Sequence, residues 1–522
     1  MFTSIGRQLP RVAAGFGCAL TLLGGRPTVP AYGVIAHHVA SGNQARADTS
    51  GDGAPCDTNG CIVGSVRLQG RPTDAVVDSA TGRAFVIEEG DYASTLDVVD
   101  LARGRLVTAV PLPGQAGLGM GMVLDDGANR VFVVDKGPFD DKTGLLTGHG
   151  RVTVLDATTG AVVRTVPVGT IPVVIADDPS SGRVFVLNQN AQPTRPVGRS
   201  SVSVLDARTG ALLRTVPVGF IATRLVVDAR AERVFVVNQG RGSSDDSYRP
   251  VGPGSVSVLN SRTGTLIGAT TVGQAPRTII VNAVAGRVFV VNQGPFDPYT
   301  ESASGPSTVS VLDAATGRAL RTTTIARALD IATLDQATGR LFVGTGAVGS
   351  DSVSGYSPSG VAVLDATTGA LLRAVALPQR DAADHLRALA VDARTARLFA
   401  LEGGDNGRKG RVSVLDATSG AIVGRTDLGP IPTAEVVDER RGHVLVAYWG
   451  DDIDVHDYTS STFGALGPGY VGVLDADGKV IATLTVGVGP TAVVLDGRTG
   501  RLLVLNQNTL TVLDTTHPQS AS

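Results

Sequence analysis

A repeat of roughly fifty residues is the feature that most constrains the fold of this chain. The segment "VTVLDATTGAVVRTVPVG" at 152–169 returns as "VSVLDARTGALLRTVPVG" at 202–219. A second motif, "RVFVVNQG" at 233–240, precedes each such segment, and its nine copies begin at residues 83, 130, 183, 233, 287, 340, 397, 443 and 501. One unit repeated in tandem predicts a solenoid, a propeller or an array.

Each repeat contains four short segments typical of β-strands. In the third repeat they are residues 172–178, 183–188, 201–206 and 211–218, which are rich in Val, Ile, Leu and Thr. Gly, Asp, Asn and Pro separate them, and no window has the period of a helix. Four antiparallel strands per repeat predict an all-β fold, a single β-propeller of four-stranded blades.

The two ends of the repeat array are incomplete in a complementary way. Residues 62–68 match the fourth strand of a blade, whereas residues 509–514 match the third. We therefore expect the N-terminal strand to complete the C-terminal blade, which leaves no open edge in the ring. Residues 62–514 would then form one propeller of nine blades. A ring of seven or eight blades is the alternative, because propellers usually have about four to eight.

The recurring Asp-Ala-x-Thr-Gly sequence is predicted to be a turn rather than a chemical site. Its Asp ends a strand and can accept backbone N–H groups two residues further on, and its Gly supplies a positive φ. Replacing Gly210 by Val is therefore expected to lower the melting temperature.

Residues 1–47 are predicted to be an export signal, with a disordered segment as the alternative. Arg7 and Arg11 precede an apolar stretch at 12–23, and Ala-Arg-Ala at 45–47 resembles a cleavage site. The stretch is shorter than the roughly 20 residues that a membrane helix needs, so we expect no transmembrane span in the mature protein.

Residues 48–61 are predicted to be a linker, and residues 515–522 a disordered tail. Cys56 and Cys61 lie close together in the linker and would form a small disulfide loop in an oxidising compartment. A metal-binding pair is the alternative. The net charge of −3 and the 4% aromatic content argue against nucleic acid as a partner.

The combination "RVFVVNQG…VSVLDARTGALLRTVPVG" resembles the YVTN-type β-propeller repeat family, within the surface-layer and lactonase-like propellers. Phe replaces the Tyr of the family motif in most copies, and its Asn is present at Asn188, Asn238, Asn292 and Asn506. The resemblance implies a propeller over residues 62–514. The family includes surface-layer and adhesion-like proteins as well as propeller subunits of oxidoreductases.

The connections between second and third strands vary in length and should share one face of the ring. Variable loops on a rigid scaffold favour that face for binding a protein or a small-molecule ligand. The candidate ligand-binding residues, where the innermost strands begin, are Arg224, Arg277, Asp330, Arg387 and His385. Guanidinium groups there could bind a carboxylate or a phosphate, and an interblade salt-bridge network is the alternative.

Carboxylates replace the family Asn in several repeats. The candidate metal ligands are Glu88, Asp135, Glu402 and Asn506, and calcium is the metal that such oxygens could hold. A solvated acidic rim is the alternative. No cofactor and no catalytic residue are predicted, because the sequence has neither a G-x-S-x-G motif nor zinc-ligand spacing.

These patterns favour a monomeric, non-catalytic binding propeller that is secreted, periplasmic or associated with the cell surface. Two alternatives stay open. One is a lactonase-type hydrolase with a metal in the channel, and the other is an accessory propeller subunit of a redox enzyme.

Overall fold

The computed structural model describes residues 62–90, 94–112, 121–140, 145–146, 148–190, 198–240, 252–297, 302–303, 305–346, 359–378, 385–403, 409–451, 453–454, 464–465 and 467–516. These residues form nine four-stranded antiparallel sheets and three two-stranded hairpins, with no helix. The nine sheets are the blades of a single β-propeller. The predicted all-β fold and the count of nine blades are confirmed, and the alternative of seven or eight blades is wrong.

The described chain begins in its last blade. The first strand, β1 (Ile62–Arg67), pairs antiparallel with the final strand of the chain, so that Ser65 lies opposite Thr511. The two ends of the repeat array therefore belong to one sheet.

Blades 1 to 3 follow in chain order. Blade 1 contains β2 (Arg71–Asp78), β3 (Arg83–Glu89), β4 (Ser94–Asp100) and β5 (Arg105–Leu112). Blade 2 contains β6 (Met122–Asp125), β7 (Arg130–Asp135), the inserted hairpin strands β8 (Phe139–Asp140) and β9 (Leu145–Leu146), then β10 (Arg151–Asp156) and β11 (Val162–Pro167). Blade 3 contains β12 (Pro172–Asp178), β13 (Arg183–Asn188), β14 (Arg199–Asp206) and β15 (Leu212–Phe220).

Blades 4 to 6 have the same plan. Blade 4 contains β16 (Ala222–Asp228), β17 (Arg233–Asn238), β18 (Pro253–Asn260) and β19 (Leu266–Gln274). Blade 5 contains β20 (Pro276–Asn282), β21 (Arg287–Asn292), the hairpin strands β22 (Phe296–Asp297) and β23 (Ser302–Ala303), then β24 (Ser307–Asp313) and β25 (Ala319–Ile325). Blade 6 contains β26 (Ala328–Asp335), β27 (Arg340–Thr345), β28 (Gly360–Asp365) and β29 (Leu371–Ala376).

Blades 7 to 9 complete the ring. Blade 7 contains β30 (His385–Asp392), β31 (Arg397–Gly403), β32 (Lys409–Asp416) and β33 (Ile422–Pro430). Blade 8 contains β34 (Pro432–Asp438), β35 (His443–Tyr448), the hairpin strands β36 (Ile453–Asp454) and β37 (Gly464–Ala465), then β38 (Pro468–Leu474) and β39 (Val480–Val488). Blade 9 contains β40 (Ala492–Asp496), β41 (Arg501–Leu505) and β42 (Thr509–Asp514), with β1 as its outermost strand.

The first strand of each blade lies innermost, and these nine strands form a closed ring around a central channel. Each contacts the inner strand of the next blade, from β2 through β6, β12, β16, β20, β26, β30, β34 and β40 back to β2. Successive side chains of an inner strand face the preceding and the following blade in turn. Leu225 thus packs between blades 3 and 4, and Val226 packs between blades 4 and 5.

The core lies between the blades, where each sheet packs face to face against its neighbours. In blade 3 the second strand reads RVFVLN, and residues 184–188 are all buried because other blades cover both faces of the sheet. Fully buried phenylalanines occupy the centre of this strand in blades 1 to 7, at Phe85, Phe132, Phe185, Phe235, Phe289, Phe342 and Phe399. A continuous apolar run without alternation therefore marks the middle of a blade.

The predicted Asp-x-x-Thr-Gly turn is confirmed. The carboxylate of Asp206 accepts hydrogen bonds from the backbone N–H and the hydroxyl of Thr209, at 2.9 and 2.8 Å. Gly210 follows with a φ of 69°. In blade 5, the same two bonds from Thr316 hold the pKa of Asp313 below its usual value. The carboxylates of Asp206 and Asp313 therefore stabilise their own turns.

Several sequence predictions lie outside the described residues. They are the signal at 1–47, the linker with Cys56 and Cys61, and residues 517–522 of the tail. In the described portion of the chain, no helix has the length and hydropathy required to cross a bilayer.

Candidate functional site

The two faces of the ring differ in their connections. The turns between third and fourth strands are alike from blade to blade, as at 206–212 in blade 3, and they define the tight-turn face. The connections between second and third strands lie on the opposite, long-loop face. They range from the short link at 505–509 in blade 9 to the long link at 448–468 in blade 8. Chemical variety is therefore concentrated on the long-loop face.

A β-bulge interrupts each of seven inner strands where it begins on the long-loop face. In blade 5, Pro276 pairs with Asn292 and Thr278 pairs with Val291, which leaves Arg277 as the bulged residue. The equivalent residues are Thr73, Val173, Thr223, Arg387 and Thr433, and Asp330 lies in the irregular stretch of blade 6. We call this set the channel mouth. Bulges commonly re-aim side chains at the rims of barrels.

The structure brings the five predicted ligand-binding residues to this mouth on four consecutive blades. Arg277, Asp330 and Arg387 belong to blades 5, 6 and 7. Arg224 directly follows the bulge of blade 4, is exposed, and donates from its Nη1 to the carbonyl of Thr223 at 3.0 Å. His385 is the first residue of β30.

Asp330 is held by blade 5 rather than by an arginine. The Nε2 of Gln293 donates to its Oδ1 at 2.9 Å, and the hydroxyl of Thr278 donates to its backbone carbonyl at 3.1 Å. Among the described residues, no ion pair joins Arg277 to Asp330. A salt bridge between these two residues, one link of the interblade network that is the alternative from the sequence, is therefore not formed.

A buried glutamine in blade 4 was not predicted from the sequence as a site residue. Gln239 follows Asn238 in blade 4 and is only 1% exposed, yet neither its Nε2 nor its Oε1 has a hydrogen-bond partner among the described residues. The Oγ1 of Thr223 and the Nε of Arg277 are buried and equally unpartnered. A buried polar group left unpaired costs about 1–3 kcal/mol, so such a cluster requires an explanation.

Gln239 and Gln293 occupy equivalent positions in blades 4 and 5, directly after the second strand. Gln293 occupies the same position in blade 5 and reaches the mouth residue of the following blade, Asp330. Gln239 is the equivalent residue of blade 4, and the mouth residue of the following blade 5 is Arg277. The repeated dipeptide Asn-Gln was the available signal in the sequence.

The residue before the inner strand has an unusual backbone conformation in several blades. Ile171, Ile221, Ala275 and Ile431 have φ values of 52°, 50°, 50° and 45°, which L-amino acids rarely adopt. The carbonyl of Ile221 accepts the backbone N–H of Gln239 at 3.1 Å. Backbone strain of this kind gathers at binding and catalytic sites.

The four candidate metal ligands lie at equivalent positions of separate blades. The amide of Asn506 donates within its own blade, for example to the hydroxyl of Thr511 at 3.1 Å. Glu402 accepts the hydroxyl of Ser413 at 2.8 Å, and Asp135 accepts the N–H of Gly137 at 2.7 Å. Burial raises the pKa of Asp135. In the described residues, no three His, Cys, Asp or Glu side chains are grouped as a metal site requires.

The fourth of these residues, Glu88, accepts the backbone N–H of Gly70 and lies against a second buried carboxyl, Asp97. Asp97 stands where blades 3, 4 and 5 have Ser203, Ser257 and Ser310. Burial, together with the adjacent Glu88 carboxyl, raises the pKa of Asp97 to about 7. The carboxyl of Asp97 is therefore protonated below neutral pH.

A third unusual acid, Glu435, lies in the inner strand of blade 8. Its strand partner Val446 packs in the core between blades 7 and 8. Both carboxyl oxygens of Glu435 are buried without a hydrogen-bond partner, and burial raises its pKa to about 8. The other blades have apolar residues here, namely Ala75, Met122, Ile175, Leu225, Ile279, Ala332, Leu389 and Val493.

Comparison with known proteins gives likeness at the level of fold. No protein-family model matches the sequence, and no characterised protein of similar sequence was found. The structure is similar to Kuenenia stuttgartiensis hydrazine synthase, with 17% identity over 76% of this chain and 95% of that one and a TM-score of 0.43. It is similar to BamB from Moraxella catarrhalis, with 15% identity over 87% of this chain and 99% of that one and a TM-score of 0.44. It is also similar to the Dos1 propeller, with 12% identity over 74% of this chain and 92% of that one and a TM-score of 0.49.

Proposed function

We propose that this protein is a non-catalytic binding propeller that holds a ligand at the channel mouth on its long-loop face. The observation that carries the proposal is the pair Gln239 and Arg277. They belong to neighbouring blades, and both have buried polar atoms for which the described residues provide no hydrogen-bond partner. On the tight-turn face, by contrast, carboxylates such as Asp206 are bonded within their own turns.

The chemistry of the mouth suits recognition. A guanidinium stays protonated at physiological pH, and an amide neither takes up nor releases a proton, so Arg277 and Gln239 can bind a group without transferring protons. Arg277 lies in the inner strand β20, and Gln239 directly follows β17, where its backbone N–H is bonded to the carbonyl of Ile221. Residues anchored to strands lose less entropy when a ligand binds.

The proposal includes where the protein acts. The basic and apolar segments within residues 1–47 support export, so the propeller would work outside the cytoplasm, in the periplasm or at the cell surface. The repeat supports placing the chain with the YVTN-type propellers, in which such roles occur.

A capture experiment tests the proposal. Immobilised wild-type protein, the double variant Gln239→Leu/Arg277→Ala and the control Arg208→Ala would be exposed to envelope extract and medium from the source organism. Arg208 is an exposed arginine on the tight-turn face. Mass spectrometry of retained small molecules and proteins should find a species held by wild type and control but lost from the double variant. Equal retention by all three would refute the proposal.

A further inference from the structure

Three neighbouring blades present three different polar groups at the channel mouth. Blade 4 supplies the buried amide of Gln239, blade 5 the guanidinium of Arg277, and blade 6 the exposed carboxylate of Asp330. The two charges are opposite in sign, and both come from the irregular starts of consecutive inner strands.

Blades 5 and 6 are hydrogen-bonded to each other beside Arg277 and Asp330. The hydroxyl of Thr278, the residue after Arg277, reaches the carbonyl of Asp330 at 3.1 Å. Gln293, also in blade 5, fixes the carboxylate of Asp330 by a bond of 2.9 Å to Oδ1. The Asp330 carboxylate thus accepts a hydrogen bond from a neutral amide, that of Gln293, rather than from a guanidinium. In the described part of the chain, Arg277 has no ion-pair partner.

A ligand with a single charge would satisfy only one side of this arrangement. A simple anion would be attracted by Arg277 but repelled by Asp330. A simple cation would be attracted by Asp330 but repelled by Arg277. A molecule that carries both charges on a short chain complements both residues at once. The unpartnered amide of Gln239 can also donate to its carboxylate.

We propose that the channel mouth over blades 4 to 6 binds a small zwitterion, with its carboxylate on Arg277 and its ammonium group on Asp330. This inference rests on the proposed function and names the class of ligand. A free amino acid is the simplest molecule with this chemistry.

Three molecules of matched size separate the contributions of the two charges. L-alanine carries both charges, propionate carries only the carboxylate, and L-alaninamide carries only the ammonium group. Titration calorimetry on the full chain should show L-alanine binding at least about tenfold more tightly than either propionate or L-alaninamide. A tenfold difference in Kd corresponds to about 1.4 kcal/mol of binding free energy.

Two variants assign the charges to residues. Asp330→Asn should reduce the preference for L-alanine over propionate to less than about twofold, because the amide no longer attracts an ammonium group. Arg277→Gln should abolish binding of both. Arg208→Ala should change neither affinity, and equal melting temperatures would show that the variants are folded.

Two results would overturn the inference. One is propionate binding as tightly as L-alanine, and the other is no measurable binding of any probe at millimolar concentration. Neither would refute the proposed function, which fails only if the capture experiment shows no dependence on Gln239 and Arg277.

Discussion

The side chain of Asn238 in blade 4 accepts a hydrogen bond from the backbone N–H of Gly219 in blade 3 at 3.0 Å. The amide nitrogen of the same side chain donates to the hydroxyls of Ser255 and Ser257 in the third strand of blade 4. A side chain on Gly219 would overlap Asn238. One buried amide thus joins two strands and two blades, which explains why this Asn of the repeat recurs with a Gly in the preceding blade.

Replacing Asn238 by Ala should lower the free energy of unfolding by about 2–3 kcal/mol, because buried donors and acceptors in two blades lose their partner. Urea unfolding followed by circular dichroism measures the change. The exposed Asn508 serves as the control, and Asn508→Ala should stay within about 0.5 kcal/mol of wild type. Equal losses in the two variants would refute the interblade role.

Gly210→Val and Gly182→Val separate turn strain from interblade packing. The two glycines have φ values of 69° and 64°, so both variants should lose about 1–2 kcal/mol to backbone strain. A Cβ on Gly210 would also lie 2.7 Å from the Cγ2 of Val154 in blade 2, whereas nothing lies within 4 Å of one on Gly182. Differential scanning calorimetry should therefore show a clearly larger loss for Gly210→Val. Similar melting temperatures would contradict the contact with blade 2.

Glu435→Leu should stabilise the protein, and the gain should grow with pH. The folded pKa of Glu435 is raised from 4.5 to about 8, so the folded protein retains a proton that the unfolded chain releases. The free energy of unfolding therefore falls as pH rises from 4.5 to about 8. Burial is the only cause of the raised pKa, and no charged group contributes.

Melting curves of wild type, Glu435→Leu and Glu435→Gln at several pH values test this prediction. Both variants should show a flatter dependence on pH than wild type. The leucine variant should be the more stable of the two, because leucine leaves no polar group unpaired in an apolar core. A difference between wild type and Glu435→Leu that does not change with pH would contradict it.

Asp97→Ser should remove a second pH dependence. The pKa of Asp97 rises from 3.8 to about 7 through burial and the carboxyl of Glu88, so the folded state loses stability as pH rises across that range. Serine, which blades 3, 4 and 5 have at this position, can donate to Glu88. The variant should melt at a higher temperature than wild type at pH 8 and close to it at pH 4. A gain of equal size at both pH values would show that repulsion between Glu88 and Asp97 is not the cause.

The blades and turns could be predicted from the sequence because local residues determine them. The turn at Asp206 depends on Thr209 and Gly210, which lie next to it in the chain. Arg277 and Asp330 could be placed at the start of their inner strands, since the distance from the strand-ending Asp is constant within a repeat.

Gln239 and Glu435 could not be assigned in this way. Gln239 lies in the same motif as Gln293, but Gln293 is bonded to Asp330 whereas the side chain of Gln239 has no hydrogen-bond partner in the described part of the chain. A charge in an inner strand gives no indication of whether a neighbouring blade offers it a partner. The surroundings of Glu435 depend on side chains of the preceding blade, such as Phe399 and Val412, which are not its neighbours along the chain.

A high-resolution structure of the protein isolated from its source organism tests the channel mouth most directly. The map should show a non-protein group within hydrogen-bonding distance of the Nε of Arg277 and the side-chain amide of Gln239. A map in which these two side chains bond to each other, or to water alone, would contradict a ligand-binding role for the mouth.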